Sequence, residues 1–168
     1  MIRGRSTWLT PLPETLRAWH PACLLATWFG SGLMPYTPAT FGSAAALPFG
    51  WFIQLYAGPA GLLAAAAAVF ALGLWASAVY VRHSGIDDPG PVVIDEVAGQ
   101  WMTLAVVPLN PLFYLLAFVL FRIADILKPW PASWADRRLA GSWGVMLDDV
   151  FAALYAGGAL LIFDRWIV

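Results

Sequence analysis

One uninterrupted apolar run, GPAGLLAAAAAVFALGLWASAVYV from residue 58 to 81, limits what this chain can fold into. It carries no charge, and its Ala- and Leu-rich composition favours a helix over a strand. At about 1.5 Å per residue, such a helix is long enough to cross the roughly 30 Å hydrocarbon core of a bilayer. The remaining composition agrees, with 61% hydrophobic residues, 11% charged residues and a mean hydropathy of +0.72. Ordinary soluble domains lie well away from these values.

Four further apolar stretches accompany it: AAALPFGWFIQLY (44–56), VAGQWMTLAVV (97–107), PLFYLLAFVLF (111–121) and VFAALYAGGALLIF (150–163). Gly58-Pro59 and the tetrapeptide Pro108-Leu109-Asn110-Pro111 read as turns between them. The expectation is an all-α, membrane-embedded bundle of about five or six helices in one domain over 1–168, with residues 1–25 forming an amphipathic or irregular N-terminal segment. Several runs are short for an upright crossing, which leaves a peripherally bound bundle as another possibility. Prolines and charges interrupt residues 6–23, so no cleaved targeting segment is expected.

If the helices alternate in direction, eight of the nine Lys and Arg residues (Arg3, Arg5, Arg17, Arg82, Arg122, Lys128, Arg137 and Arg138) share one side. The positive-inside rule makes that side cytoplasmic. A net charge of -1 provides no basic field for nucleic acid, which is therefore not an expected partner. The single cysteine, Cys23, cannot form an intrachain disulfide and reads as a small core residue.

Six polar stretches meet on the cytoplasmic side: 29–43, 82–90, 94–100, 121–129, WADRR and SWGVMLDD. Arg122, Asp125 and Lys128 recur at every third residue and form one charged helix stripe. Taken alone, that stripe is as well explained by interfacial salt bridges as by phosphate binding. Asp95 and Glu96, and likewise Asp148 and Asp149, taken alone read as acids favoured near a helix N-terminus. Together, carboxylates from three helix ends on one side repel one another unless a cation neutralises them. An oxygen-only donor set selects a hard ion, Mg2+ by preference. Arg122 and Lys128 among those acids point to a phosphate ester at a metal site. The Gly-, Ser- and Thr-rich stretch 29–43 can offer backbone N–H groups and the hydroxyls of Thr40 and Ser43 to an anion, although taken alone it is better explained as a plain interfacial loop.

The chain has no CxxxxxR thiol-phosphatase loop, no DxD nucleophile pair and no paired-Asp signature of CDP-alcohol transfer. It does resemble the phosphatidylglycerophosphatase A family. The family pattern GTxGS corresponds to Ala39 to Ser43, DExxGQ to Asp95 to Gln100, RxxDxxKPxP to Arg122 to Pro131, and GxMxDDxxA to Gly144 to Ala152. Ala39 and Ala153 replace usual glycines, and Ser142 replaces one of a glycine pair.

The resemblance implies Mg2+-dependent hydrolysis of phosphatidylglycerophosphate to phosphatidylglycerol and inorganic phosphate, at the bacterial inner membrane with the site facing the cytoplasm. On that reading Asp95, Asp125, Asp148 and Asp149 hold Mg2+. Arg122 and Lys128, with Thr40 and Ser43, bind the phosphate, and Glu96, Asp95 and Asp149 carry the catalysis. A different class of function, divalent-cation binding or transport through the same carboxylates, predicts ionisable residues near the bilayer midplane rather than at helix ends.

Overall fold

A computed structural model of the chain describes residues 10–167, with side chains placed as far as Phe163. Arg3 and Arg5, and the side chains of Asp164 and Arg165, lie outside the described residues. The described chain forms six helices: α1 (Pro21–Ala26), α2 (Pro38–Ser84), α3 (Ile94–Leu104), α4 (Pro111–Leu127), α5 (Ala132–Arg138) and α6 (Ser142–Ile167). No strand occurs among the described residues.

The turn signals act as read. Gly58 interrupts α2 with φ 68° and ψ -176°, a backbone conformation open in practice only to glycine. The two arms then fold back on each other. Gly42 packs against Val93 and Gly73 against the adjacent Ile94, although 31 residues of straight helix would separate them by about 46 Å. Asn110 caps α4 by accepting the Leu112 N–H at 2.9 Å, with Pro111 preset for the first turn.

Side-chain contacts give the direction of every long element. Along the first arm of α2 and α3, Gly42 meets Val93, the Ala46 carbonyl accepts from Trp101 Nε1, and Gln54 Nε2 donates to the Val107 carbonyl, so the two run parallel. Helix α4 runs against them, with Tyr114 on Gln54 and Arg122 on Ser43. Helix α6 runs with α3, Asp149 lying beside Gly99 and Gly157 beside Val106. The expected alternation therefore holds, and the uncharged turns gather at the end opposite the acids.

Two expected boundaries are corrected. Residues 38–43 are the first turns of α2 rather than a loop, and Thr37 takes the left-handed conformation (φ 47°) just before them. Ala39, being helical, needs no glycine. Helix α6 starts at Ser142, eight residues before its apolar run, so Asp148 and Asp149 lie in its second turn rather than at its start. Their apolar neighbours Val145 and Met146 are buried and extend the helix through the acidic pair.

Every residue of α3 except Met102 is buried. At about 16 Å this helix is too short to cross a bilayer and is enclosed by the other helices instead. Helices α2 and α6 are long and apolar enough to cross a membrane. Much of their apolar surface faces outward, including Phe52, Tyr56, Leu63, Leu72, Trp75, Leu154 and Ile162. Cys23 is buried and free, as expected.

Candidate active site: an acidic cavity at the polar end of the bundle

Three helices bring the acidic motifs together. The first turn of α3 carries Asp95 and Glu96, the last turn of α4 carries Asp125, and the second turn of α6 carries Asp148 and Asp149. Close approach of α3 to α6 depends on Gly99, where a Cβ would lie 2.7 Å from the Phe121 ring and 2.9 Å from the Asp149 carbonyl oxygen. Oxygens of Asp95, Glu96 and Asp149 lie within 4.8 Å of one another, and so do oxygens of Asp125, Asp148 and Asp149. Asp149 belongs to both groups.

These acids open into a cavity of about 320 Å³. Its wall also carries Asp87, Asp88 and Asp136, giving, among the described residues, eight carboxylates against one cation, Lys128. The inner acids are well shielded, Glu96 being 6% and Asp149 2% exposed. Among the described residues, Glu96 Oε2 and Asp149 Oδ2 are buried without a hydrogen-bond partner. Both amide ends of Gln100, one helical turn beyond Glu96, are likewise buried and unpartnered. Buried polar atoms without partners are costly, and an orphaned Asp149 oxygen among so many acids suits a hard cation.

The two cations of the charged stripe take different positions. Arg122 does not line the cavity. Its Nη1 lies 2.8 Å from Asp125 Oδ2, 3.8 Å from Glu96 Oε1 and 3.4 Å from Ser43 Oγ, behind the acids. Lys128 ends α4 in the left-handed conformation (φ 41°), which turns it out of the stripe and into the cavity. There it donates to Asp136 and to Asp148, each at 2.7 Å. Burial alone would lower its pKa, but these two hydrogen bonds and the adjacent negative charges hold it above the ordinary lysine value.

Of the expected phosphate ligands, Ser43 is buried, donating to the Ala39 carbonyl at 3.0 Å and accepting from Arg122. Thr40 is half-buried and is not on the cavity wall, which Pro38 and Ala39 reach instead. Asp87, Asp88 and Asp136 join the wall without belonging to any sequence motif of the site. They stand in the polar stretches 82–90 and WADRR, but no spacing ties them to the four motifs.

Comparison with known proteins supplies the identity. Residues 24–164 match the family model described as Phosphatidylglycerophosphatase A. The chain belongs to that family. It is 41% identical over 154 residues to the Escherichia coli phosphatidylglycerophosphatase A, covering 84% of this chain and 81% of that one. It is 37% identical to the Haemophilus influenzae phosphatidylglycerophosphatase A, covering 89% and 92% respectively. A Bacteroides thetaiotaomicron protein named as a candidate phosphatidylinositol-3-phosphatase is also 37% identical, over 86% of this chain and 94% of its own. No solved structure matches the chain. Membership makes it a phosphoric monoester hydrolase, the class to which a phosphatidylglycerophosphatase belongs.

Proposed function

We propose that the chain hydrolyses phosphatidylglycerophosphate to phosphatidylglycerol and inorganic phosphate in phospholipid synthesis, using Mg2+ held by the acidic cavity of a membrane-embedded bundle. The observation that carries the metal is the charge of the wall. The eight carboxylates and one lysine that line the cavity among the described residues would repel a dianionic phosphate monoester unless bound cations reverse the local field. Asp95, Glu96 and Asp149 form one donor group and Asp125, Asp148 and Asp149 another, so Asp149 is the residue shared by any ions bound there. Mg2+ bound there would neutralise phosphoryl charge and favour the in-line displacement.

The chain's own groups supply the rest. With the aspartates of both groups left to hold the ions, Glu96 keeps one oxygen toward Arg122 and its other oxygen accepts the proton of the attacking water, while the departing glycerol oxygen takes up a proton from solvent at the cavity mouth. Lys128 on the wall directs its ammonium to a phosphoryl oxygen once substrate competes with Asp136 and Asp148 for it. Arg122 acts from behind by holding Glu96 and Asp125 in place, a role that fits its position better than gripping phosphate. Ser43 steadies Arg122 in turn, and the α2 N-terminus at Pro38 and Ala39 faces the cavity with its favourable dipole end.

The substrate's lipid character fits the surroundings of the cavity. Ile126 on its wall, Leu127 beside it and the nearby Trp130, 75% exposed, present apolar surface to the outside. Trp134, Trp143 and Tyr155 are exposed at the same end, where an aromatic belt would mark the membrane interface. A headgroup reaching this depth meets the acids while its acyl chains stay in lipid. The acids sit at one end of the bundle, not at mid-length where an ion-transport site is expected. The basic residues of that end favour the cytoplasmic face of the inner membrane.

Phosphate release from phosphatidylglycerophosphate by the purified protein in detergent tests the reading. Release should occur with Mg2+ and stop in excess EDTA. Folded, metal-supplied protein that releases none would refute the assignment.

A further inference from the structure

The same end of the molecule carries a second hollow of opposite character. The segment before α1 is pinned by Leu16, 4% exposed in the core, and by the turn bonds Leu16 N–H to the Pro13 carbonyl and His20 N–H to the Arg17 carbonyl, both 3.0 Å. Against the end of α2 it encloses about 420 Å³ lined by Arg17, Trp19, His20 and His83. Among the described residues, no carboxylate lines this hollow. Glu14 and Asp88 stand in the neighbouring one, which shares His83 with it and shares Asp88 and Gly90 with the acidic cavity.

The donors are set by their contacts. His20 Nδ1 accepts the Ala22 N–H at 3.2 Å, which places the ring proton of the neutral imidazole on Nε2. His83 Nδ1 lies 2.9 Å from Thr15 Oγ1, which orients that ring by its other nitrogen. The Arg17 guanidinium lies 5.6 Å from the centroid of the Trp19 ring, which is itself 70% exposed. A planar fork and two imidazole edges around a hollow form a receptor for a phosphate oxyanion. An outward tryptophan beside a cation is the pairing expected at a bilayer headgroup layer.

We propose that this hollow binds the phosphate of an anionic membrane phospholipid through Arg17, His20 and His83, with Trp19 seated in the interface. The lipid held there is distinct from the substrate and docks the cavity end of the protein on the bilayer surface. The proposal rests on the membrane reading of α2 and α6 and not on the phosphatase chemistry.

The test is native mass spectrometry of the whole protein in dodecyl maltoside with EDTA, titrated with dihexanoyl phosphatidylglycerol, dihexanoyl phosphatidylcholine or sodium phosphate. The triple variant Arg17→Gln, His20→Gln, His83→Gln should bind phosphatidylglycerol about tenfold more weakly than the unaltered chain, with phosphatidylcholine binding the same in both. Retention of Mg2+-dependent phosphate release by that variant shows that it is folded and separates this test from that of the catalytic reading. Should the triple variant not fold, Arg17→Gln alone, at an exposed position, should still weaken phosphatidylglycerol binding about threefold. Equal phosphatidylglycerol affinity in variant and parent would overturn the proposal. So would a hollow that takes inorganic phosphate as tightly as the lipid, since the ligand would then be soluble phosphate.

Discussion

Asp149 sits where two groups of carboxylates overlap, and its burial gives it opposite effects on stability and activity. Without a cation its charge repels Asp95, Glu96, Asp125 and Asp148, while with one it is the shared ligand. Asp149→Asn should therefore lower phosphate release about a hundredfold or more. In EDTA the same variant should raise Tm, by about 2–4 °C for each kcal/mol of repulsion relieved in a chain of this size. Differential scanning calorimetry in detergent reads the second effect, and an unchanged or lower Tm would count against carboxylate crowding. Arg122→Gln should have the opposite sign. It leaves Glu96 and Asp125 without their buried counter-charge at a cost of about 3 kcal/mol or more, so Tm falls in EDTA as well as in Mg2+. Lys128→Ala, which removes an ammonium from the cavity wall, should weaken kcat/KM about a hundredfold without comparable loss of stability.

At the scale of elements, the site depends on how closely α3 approaches α6 and on the reversal within α2. Gly99→Ala forces a methyl group against Phe121 and the Asp149 carbonyl, both backed by packed core. Overpacking of this kind costs about 1–3 kcal/mol and would spread the two donor groups, so activity should fall more steeply than stability. Gly58→Ala meets open space but imposes a side chain on a conformation reserved for glycine. It should cost about 1–3 kcal/mol through backbone strain while leaving kcat unchanged in the folded fraction, since the turn lies at the end remote from the acids. Loss of kcat in Gly58→Ala at full folding would mean that the hairpin positions the site more directly than its contacts indicate. The helices themselves can be read from sequence at this scale: the turns at Gly58 and at Pro108 to Pro111 stand where expected, and the Arg122–Asp125 pair follows from its spacing. The early start of α6 and the helical state of 38–43 cannot be read so easily, because glycine, serine and tryptophan there give no periodic signal and tertiary packing decides the conformation.

For the whole molecule, separation of charge along the bundle axis is the main design. Residues 97–121 and 150–163 contain no charged side chain, and neither does the α2 hairpin up to Arg82. The acids, the lysine on their wall and the basic hollow all gather at the other end. Outward-facing Phe52, Leu63, Leu72 and Trp75 give the α2 arms a surface that water would not tolerate over such length. The protein should therefore remain with the membrane pellet after carbonate extraction, and release into the supernatant would favour a peripheral bundle instead.

The amino-acid sequence by itself determined the helical class, the polar end, the acidic positions and the family resemblance. Each depends on composition or on residues within a turn or two of one another, where backbone geometry fixes the relation between side chains. Only the tertiary structure decided that Asp149 is shared between two donor groups, that Arg122 stands behind the acids while Lys128 faces the cavity, and that Asp87, Asp88 and Asp136 complete its wall. It also decided that Arg17, His20 and His83 share one hollow. These relations join residues from different elements, and what sets them is the close packing of those elements on one another, not the chemistry of any one segment.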